Sequence, residues 1–459
     1  MDKTAFAFPK KSTARLLVAA TLAVALGLPG ALFAGVLFLT PLTQRPMLDA
    51  LVRDQLGRDP ATWGGTQLVY ALAFVVTAFV LFNFGAIFGG IFSWLERRVA
   101  GRMQSRIGPN RVGAAGFLQW LADAVKLLFK EDLVPADADS LLFRIAPYFV
   151  VTGFALTLVA LPFGESLILA DLGVGIFYIS AVTALVVVGI LLCGWASNSK
   201  WALFGGMRSA AQVVSYEIPA GLAIMTPVLM AGTLSMQGII RAQGGWPWEW
   251  FLFRNPAALV AFFIFFTAQL AEGNRTPFDL PEAESELVAG YMTEYSGFRF
   301  ALFFLVEWGN LWVMAAVAVT LFLGGWQIPG LGAAQWAAWR GASGFPPALW
   351  WVMQLVSLLW FSLKTLTLVG VIMWIRWTLP RIRVDQMMNL CWKYLVPAAF
   401  ACFLFTLLWQ LLVGTAPGVE VVTGVVLFVL GVVVLALFAR QTRQNIALVA
   451  GDKVDFSNW

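Results

Sequence analysis

The sequence has 459 residues, of which 60% are hydrophobic and 12% charged, with a net charge of +5. That charged share is about half the usual one for a soluble domain, which excludes a soluble fold and points to spans of about 20 apolar residues crossing hydrocarbon. The absence of histidine excludes haem ligation by His, zinc catalysis and a Ser-His-Asp triad, and Cys193, Cys391 and Cys402 form no CxxC that could hold an iron–sulfur cluster.

Apolar runs bounded by charge or turn residues predict ten spans, near 16–39, 67–95, 143–164, 176–196, 213–233, 256–271, 299–324, 348–376, 394–414 and 419–439. The first follows Lys10, Lys11 and Arg15 like a signal peptide, but it is long and Leu32-Phe33-Ala34 is a poor cleavage site. An uncleaved extra helix is expected. No nucleotide-binding glycine pattern occurs between the spans. Ten spans put both termini on one side with loops 97–142, 197–212, 272–298 and 377–393. That side carries 23 Lys and Arg against 6 on the other, so both termini and the polar loops are expected in the cytoplasm. The outside loops 40–66 and 325–347, rich in Gly, Trp and Pro, suit interfacial caps.

Within the first cytoplasmic loop, residues 115–130 place Phe117, Leu118, Leu121, Val125, Leu128 and Phe129 on one face, away from Asp123, Lys126 and Lys130. This spacing predicts an amphipathic helix in the membrane interface; a simple surface anchor has the same pattern. The Gly-Pro-Asn turn at 108–110, between Arg106 and Arg111, suggests a fixed cationic loop. Farther along, Glu217 stands near the predicted start of a span.

The loop 270–300 packs Glu272, Asp279, Glu282, Glu284, Glu286 and Glu294 into 23 residues. On a helix, Glu282 and Glu286 would share a face and repel by about 3 kcal/mol, roughly two pKa units. Some of these acids are expected to hold protons near neutral pH. A solvated acidic loop is the plain alternative, although acids embedded among Leu, Pro, Phe and Val argue against it. Glu307 and Lys364 lie within later spans. Burying such a charge costs about 2.5–3.5 kcal/mol, so function is the first expectation and a structural ion pair the second.

Four stretches carry a family resemblance. RIGPNRVG with LADAVKLLFKE, GWASNSKWALFGGMRSAAQVVSYEIP (194–219), AEGNRTPFDLPEAESELVAGYMTEYSG (271–297) and LKTLTLVGVIMWIRWTLPRIRVDQMMNLCWK (363–393) resemble the H subunit of respiratory complex I, the mitochondrial ND-one homologue. The match runs from about 67 to 414. It divides the chain into an N-terminal extension at 1–66, an eight-span core at 67–414 and an extra span with a tail at 415–459. The fold implied is an all-α polytopic membrane protein, the eight-helix core plus one helix at each end. Departures include Ala283 for a usual Gly and Gly206-Met207 for a usual Ala-Leu.

The resemblance implies a membrane subunit of the proton-translocating NADH:quinone oxidoreductase in a bacterial inner membrane. Such a protein forms the quinone chamber against a hydrophilic arm and couples quinone reduction to proton translocation. It implies that Glu96, Arg97, Arg106, Asp123 and Lys126 line or support the quinone tunnel. Arg275, Asp279, Glu282, Glu284 and Glu286 match the acidic loop, with Arg299 following, and Glu217, Glu272, Glu294 and Glu307 match carboxylates leading toward antiporter-like subunits. Lys364, Arg376, Arg381, Arg383 and Asp385 match family positions without an assigned role. The quinone is then substrate, and NADH, FMN and the iron–sulfur clusters belong to partner subunits, with no cofactor on this chain alone. The partners implied are the hydrophilic arm, the small and antiporter-like membrane subunits and lipid, with no nucleic acid. Two rival readings stand beside it: the equivalent subunit of a membrane-bound hydrogenase-type complex, and a stand-alone secondary transporter, for which no internal repeat is found.

Overall fold

A computed structural model describes residues 67–331, 347–413 and 417–451. The expected span 16–39, the loop 40–66, most of the loop 325–347 and both chain termini lie outside the described residues. Among the described residues the chain is α-helical, and the expected spans from 67 to 439 each meet a helix. Seven helices are long and apolar enough to cross a membrane. Another, Pro256–Glu272, is shorter, about 25 Å at the usual rise, and the first, Gln67–Met103, runs for 37 residues.

In chain order the helices are α1 (Gln67–Met103), α2 (Gln119–Phe129), α3 (Ser140–Thr157), α4 (Gly175–Ala196), α5 (Lys200–Ala231), α6 (Met236–Ala242), α7 (Phe251–Arg254) and α8 (Pro256–Glu272). They continue with α9 (Glu284–Leu287), α10 (Gly297–Phe322), α11 (Pro347–Thr378), α12 (Val384–Asn389), α13 (Val396–Leu412) and α14 (Pro417–Gly451). A π-helical stretch, Leu390–Leu395, splices α12 to α13. The most deeply packed is α10, which meets α1, α2, α3, α8 and α11. On one side α4 bridges α3 and α5, while α8 and α13 close against α5. The outermost helix, α14, rests on α7 and the turn Pro247–Glu249.

Several expected spans change their limits, α1 and α14 by running on past 95 and 439 to Met103 and Gly451. The run 143–164 is helical only to Thr157. Pro162 has no N–H to donate, and the chain instead forms a buried loop whose backbone bonds itself, Phe163 N to Leu167 O at 2.9 Å and Ala170 N to Val159 O at 3.1 Å. The span expected from 213 begins at Lys200 instead. Lys200, Arg208 and Gln212 lower the hydropathy of that stretch without hindering a helix, so Glu217 lies mid-helix and not near a start. It ends at Gly232, whose φ of 66° makes a left-handed cap.

Caps fix other starts. The Asp139 side chain accepts from the N–H groups of Leu141 and Leu142, both at 3.1 Å, and Asn255 accepts from Ala257 N at 2.9 Å. The amphipathic helix expected at 115–130 is shorter, since a kinked turn with Ala115 at φ 56° precedes α2. Its apolar face is exposed at Phe117, Leu118, Leu121, Val125 and Phe129, as an interfacial helix requires.

The helices alternate in direction. One end of the bundle gathers α2, the loop 273–296 and the segment 379–383. The other, called here the far end, gathers the loops 158–174, 232–255 and 323–331.

Candidate functional site

The loop 273–296 sends one cation into the protein. Arg275 is 2% exposed, and its guanidinium stands 3.1 Å from Glu307 on α10 and 3.6 Å from Glu96 on α1. It also stacks 4.6 Å from the ring centroid of Trp308 and donates from Nη2 to the Glu307 carbonyl at 3.3 Å. Glu96 is shared: Arg376 on α11 reaches its other carboxylate oxygen at 2.6 Å. Three spanning helices and one loop therefore meet through a single chain of charge. A buried ion pair is worth having only when its remaining donors are satisfied, and the Trp308 face supplies the desolvated guanidinium with a further attraction.

Two more acids border this group. Asp279 pairs with Arg381 at 3.1 Å. Glu282 makes no ion pair among the described residues, and the Tyr291 hydroxyl donates to its Oε1 at 3.1 Å. Burial pushes the Glu282 carboxyl well above the usual carboxylate range, and the charges of Glu307 and Asp279 push it further, against the pull of Arg275. Burial likewise raises the Tyr291 phenol, as does the neighbouring Glu282 carboxylate. Four carboxylates, Glu96, Asp279, Glu282 and Glu307, thus face three cations, Arg275, Arg376 and Arg381. One proton held among the four acids balances the set, and Glu282 is where it costs least.

The repulsion expected between Glu282 and Glu286 is not realised. Helix α9 spans only Glu284–Leu287, so Glu282 precedes it and the i, i+4 geometry never forms. Glu286 instead turns outward and pairs with Arg208 at 2.5 Å. The crowding of acids on Glu282 comes from Asp279 and Glu307, across the tertiary structure. The side chain of Glu284 lies outside the described residues.

A second carboxylate group adjoins the first. Glu272, the last residue of α8, accepts from Gln269 Nε2 at 2.7 Å, and Glu217 on α5 is its electrostatic neighbour. One carboxylate oxygen of Glu217, Oε1, is buried with no hydrogen-bond partner. Between the groups, the Gln212 amide donates to Ala271 O at 2.7 Å, Phe278 O at 2.8 Å and Asn274 Oδ1 at 3.1 Å, tying α5 to the acidic loop. On the other flank of Glu217, Tyr216 donates to Met387 O at 2.9 Å and Cys391 to Ser215 O at 3.1 Å. These bonds tie α5 to α12 and to the π-helical stretch that follows it.

Other expected site residues sit apart from the buried charges. Arg97 pairs with Asp123 of α2 at 2.5 Å, pinning the amphipathic helix to α1. Arg299 pairs with Asp132 at 3.0 Å, where burial raises the Asp132 carboxyl against the pull of Arg299 and Arg144. Arg106 donates only to Gln104, at 2.7 Å, and Lys126 is exposed. Glu294 is partly exposed and makes no ion pair among the described residues. Sequence reasoning missed Trp308, Tyr291 and Asp132 and left Arg376 without a role. The signal available for Trp308 was its position directly after an intramembrane acid.

Three comparisons of sequence bear on this arrangement. A family model described as NADH dehydrogenase matches residues 75–407. A protein of Anaeromyxobacter dehalogenans, named as the H subunit of NADH-quinone oxidoreductase, is 67% identical over 415 residues, covering 90% of this chain and 100% of that one. Proteins of the same name from Chlorobium luteolum and Chlorobaculum tepidum are 47% and 46% identical, over 76% and 79% of this chain and 90% and 96% of theirs.

Proposed function

The chain belongs to the family of the NADH-quinone oxidoreductase H subunit, and from that premise we propose that its buried charge cluster couples quinone reduction to proton translocation. It is a membrane subunit of the NADH:quinone oxidoreductase complex, and a relative 67% identical over its full length favours this over a hydrogenase-type subunit or a lone transporter. In this reading NADH, FMN and the iron–sulfur clusters stay on partner subunits, and the quinone is bound between this chain and a hydrophilic arm. The bias of 23 cationic residues against 6 supports placing the acidic end in the cytoplasm, with both termini.

The observation that carries the coupling is the placing of Arg275 between Glu96 and Glu307, beside an acid with no cation of its own. Reducing a quinone in a dry chamber consumes two protons and changes the local charge. Four acids sharing three cations answer such a change by moving a proton, because their titrations are linked. The pair Glu217 and Glu272, joined to the cluster through Gln212 and Asn274, offers the next place for that charge to go. Arg97, Asp123 and α2 then serve the chamber wall, with Arg106 and Lys126 at its outer surface, while Arg299 and Asp132 anchor the loop after α2. Glu294 stands beyond the cluster, at the end of the same loop. In this reading the chain divides into an extension at 1–66, a core at 67–414 and an added helix with a tail at 415–459.

Glu307→Gln tests this directly. It keeps shape and hydrogen bonding but removes one charge from Arg275, a loss of about 1.5–3 kcal/mol for a charged hydrogen bond, or roughly tenfold to a hundredfold in rate. Quinone reductase turnover per assembled complex should fall on that scale, while NADH oxidation by ferricyanide continues. Equal loss of both activities contradicts the proposal.

A further inference from the structure

At the far end three glutamines stitch the loops together, beside an ion pair of Arg241 with Glu165 at 2.8 Å and a bond from Ser235 to Asp171 at 2.9 Å. The Gln243 amide donates to Thr320 O at 2.9 Å and accepts from Gly324 N at 2.8 Å and Phe251 N at 3.3 Å. Gln327 donates to Ile240 O at 2.7 Å, and Gln237 donates to Gly164 O at 2.8 Å while accepting from Trp326 at 2.9 Å. All three glutamines are buried. They join the loops 158–174, 232–255 and 323–331 across the bottom of α10.

A buried lysine sits within this layer. Lys364, halfway along α11, is 8% exposed. Its ammonium donates to Gly325 O at 2.7 Å, Leu323 O at 2.8 Å and Gln327 O at 3.5 Å. It also lies 4.6 Å from the Trp250 ring centroid and 5.6 Å from that of Trp360. No carboxylate pairs with it among the described residues. Its three N–H groups meet carbonyls just beyond the C-terminus of α10, where the helix dipole favours a cation, and the indole faces favour one as well.

We propose that Lys364 is a positioning residue that locks the C-terminal end of α10 to α11 and α7, making the far end a proton-tight cap. A neutral amine there would lose both indole contacts and weaken its hold on the carbonyls. With the side chain removed, those carbonyls would need another donor, and in a membrane interior the donor is water. Water at the far end gives protons a way past the buried carboxylates. The proposal rests on the reading that those carboxylates move protons.

The test uses the assembled complex in closed vesicles, measuring quinone reductase turnover and the decay of the pH gradient once NADH is spent. Lys364→Met should leave turnover unchanged and make the gradient decay several-fold faster. Lys364→Arg, which keeps a cation that does not deprotonate, should restore tight vesicles with normal pumping. Vesicles of Lys364→Met as tight as the unaltered complex overturn the proposal. So does a Lys364→Arg complex that fails to assemble or assembles but no longer pumps, the latter marking Lys364 as a proton carrier. If Lys364→Met does not assemble, Gln243→Leu takes its place with the same expected leak, and tight vesicles count against the cap. A complex with no quinone reductase activity before any substitution fails the functional reading instead.

Discussion

Glu282 differs from its acidic neighbours in its partner. Glu96, Glu307 and Asp279 each meet an arginine, whereas Glu282 meets the hydroxyl of Tyr291. Its raised carboxyl has a definite consequence for pH. A group that binds its proton more tightly when folded stabilises the fold below the ordinary carboxylate value, and that contribution is lost as pH rises toward the raised value. The stability of the assembled complex should therefore fall from about pH 4 upward, and Glu282→Gln should flatten that slope. The infrared band of a protonated carboxyl should also be present at neutral pH and vanish in the variant; an unchanged band assigns the proton elsewhere. The sequence made the acids of this loop legible as a group, because they stand among Leu, Pro and Phe. It did not make their pairing legible. Arg376 lies 280 residues from Glu96 along the chain, and only packing brings them together.

At the scale of elements, hydropathy located the middle of every described span and misplaced several limits. The first third of α5 is a helix held by neighbours: Arg208 reaches Glu286 and Gln212 reaches three groups around the acidic loop. The stretch 158–164 is apolar but not helical, because Pro162 and the buried loop geometry decide against it. The added helix α14 was legible as a span but not in its docking. Arg254 pairs with Glu420, and Phe428 packs edge-on to Phe253 at 5.4 Å and Trp248 at 6.1 Å. These contacts lie on the segment 248–254, and farther along α14 the Phe438 ring stands 5.9 Å from Trp374 of α11. Deleting 417–459 should thus lower the stability of the assembled complex while leaving turnover per complex intact. A large fall in turnover with assembly preserved would give α14 a part in the chemistry.

On the scale of the whole molecule, the two ends of the bundle are built differently. The acidic end holds charges in excess of their partners, on a loop resting over α5, α8 and α10, and beside it lies α2 with an open apolar face. The far end holds buried glutamines, a clamped lysine and carboxylates held by an arginine or a serine, Glu165 by Arg241 and Asp171 by Ser235. That difference between the ends is what the proposed one-sided proton path needs. That contrast was not legible in the sequence, because the far-end glutamines stand in ordinary loops and find their partners only after folding.

The central claim is that charge on the buried cluster links electron flow to proton flow. Its most direct test is the number of protons moved per NADH oxidised, measured in vesicles carrying the assembled complex with Glu282→Gln. The variant fixes that position in its neutral form, so the cluster loses the proton it exchanges. The account predicts fewer protons per NADH than the unaltered complex, whatever turnover remains. An unchanged ratio would contradict it.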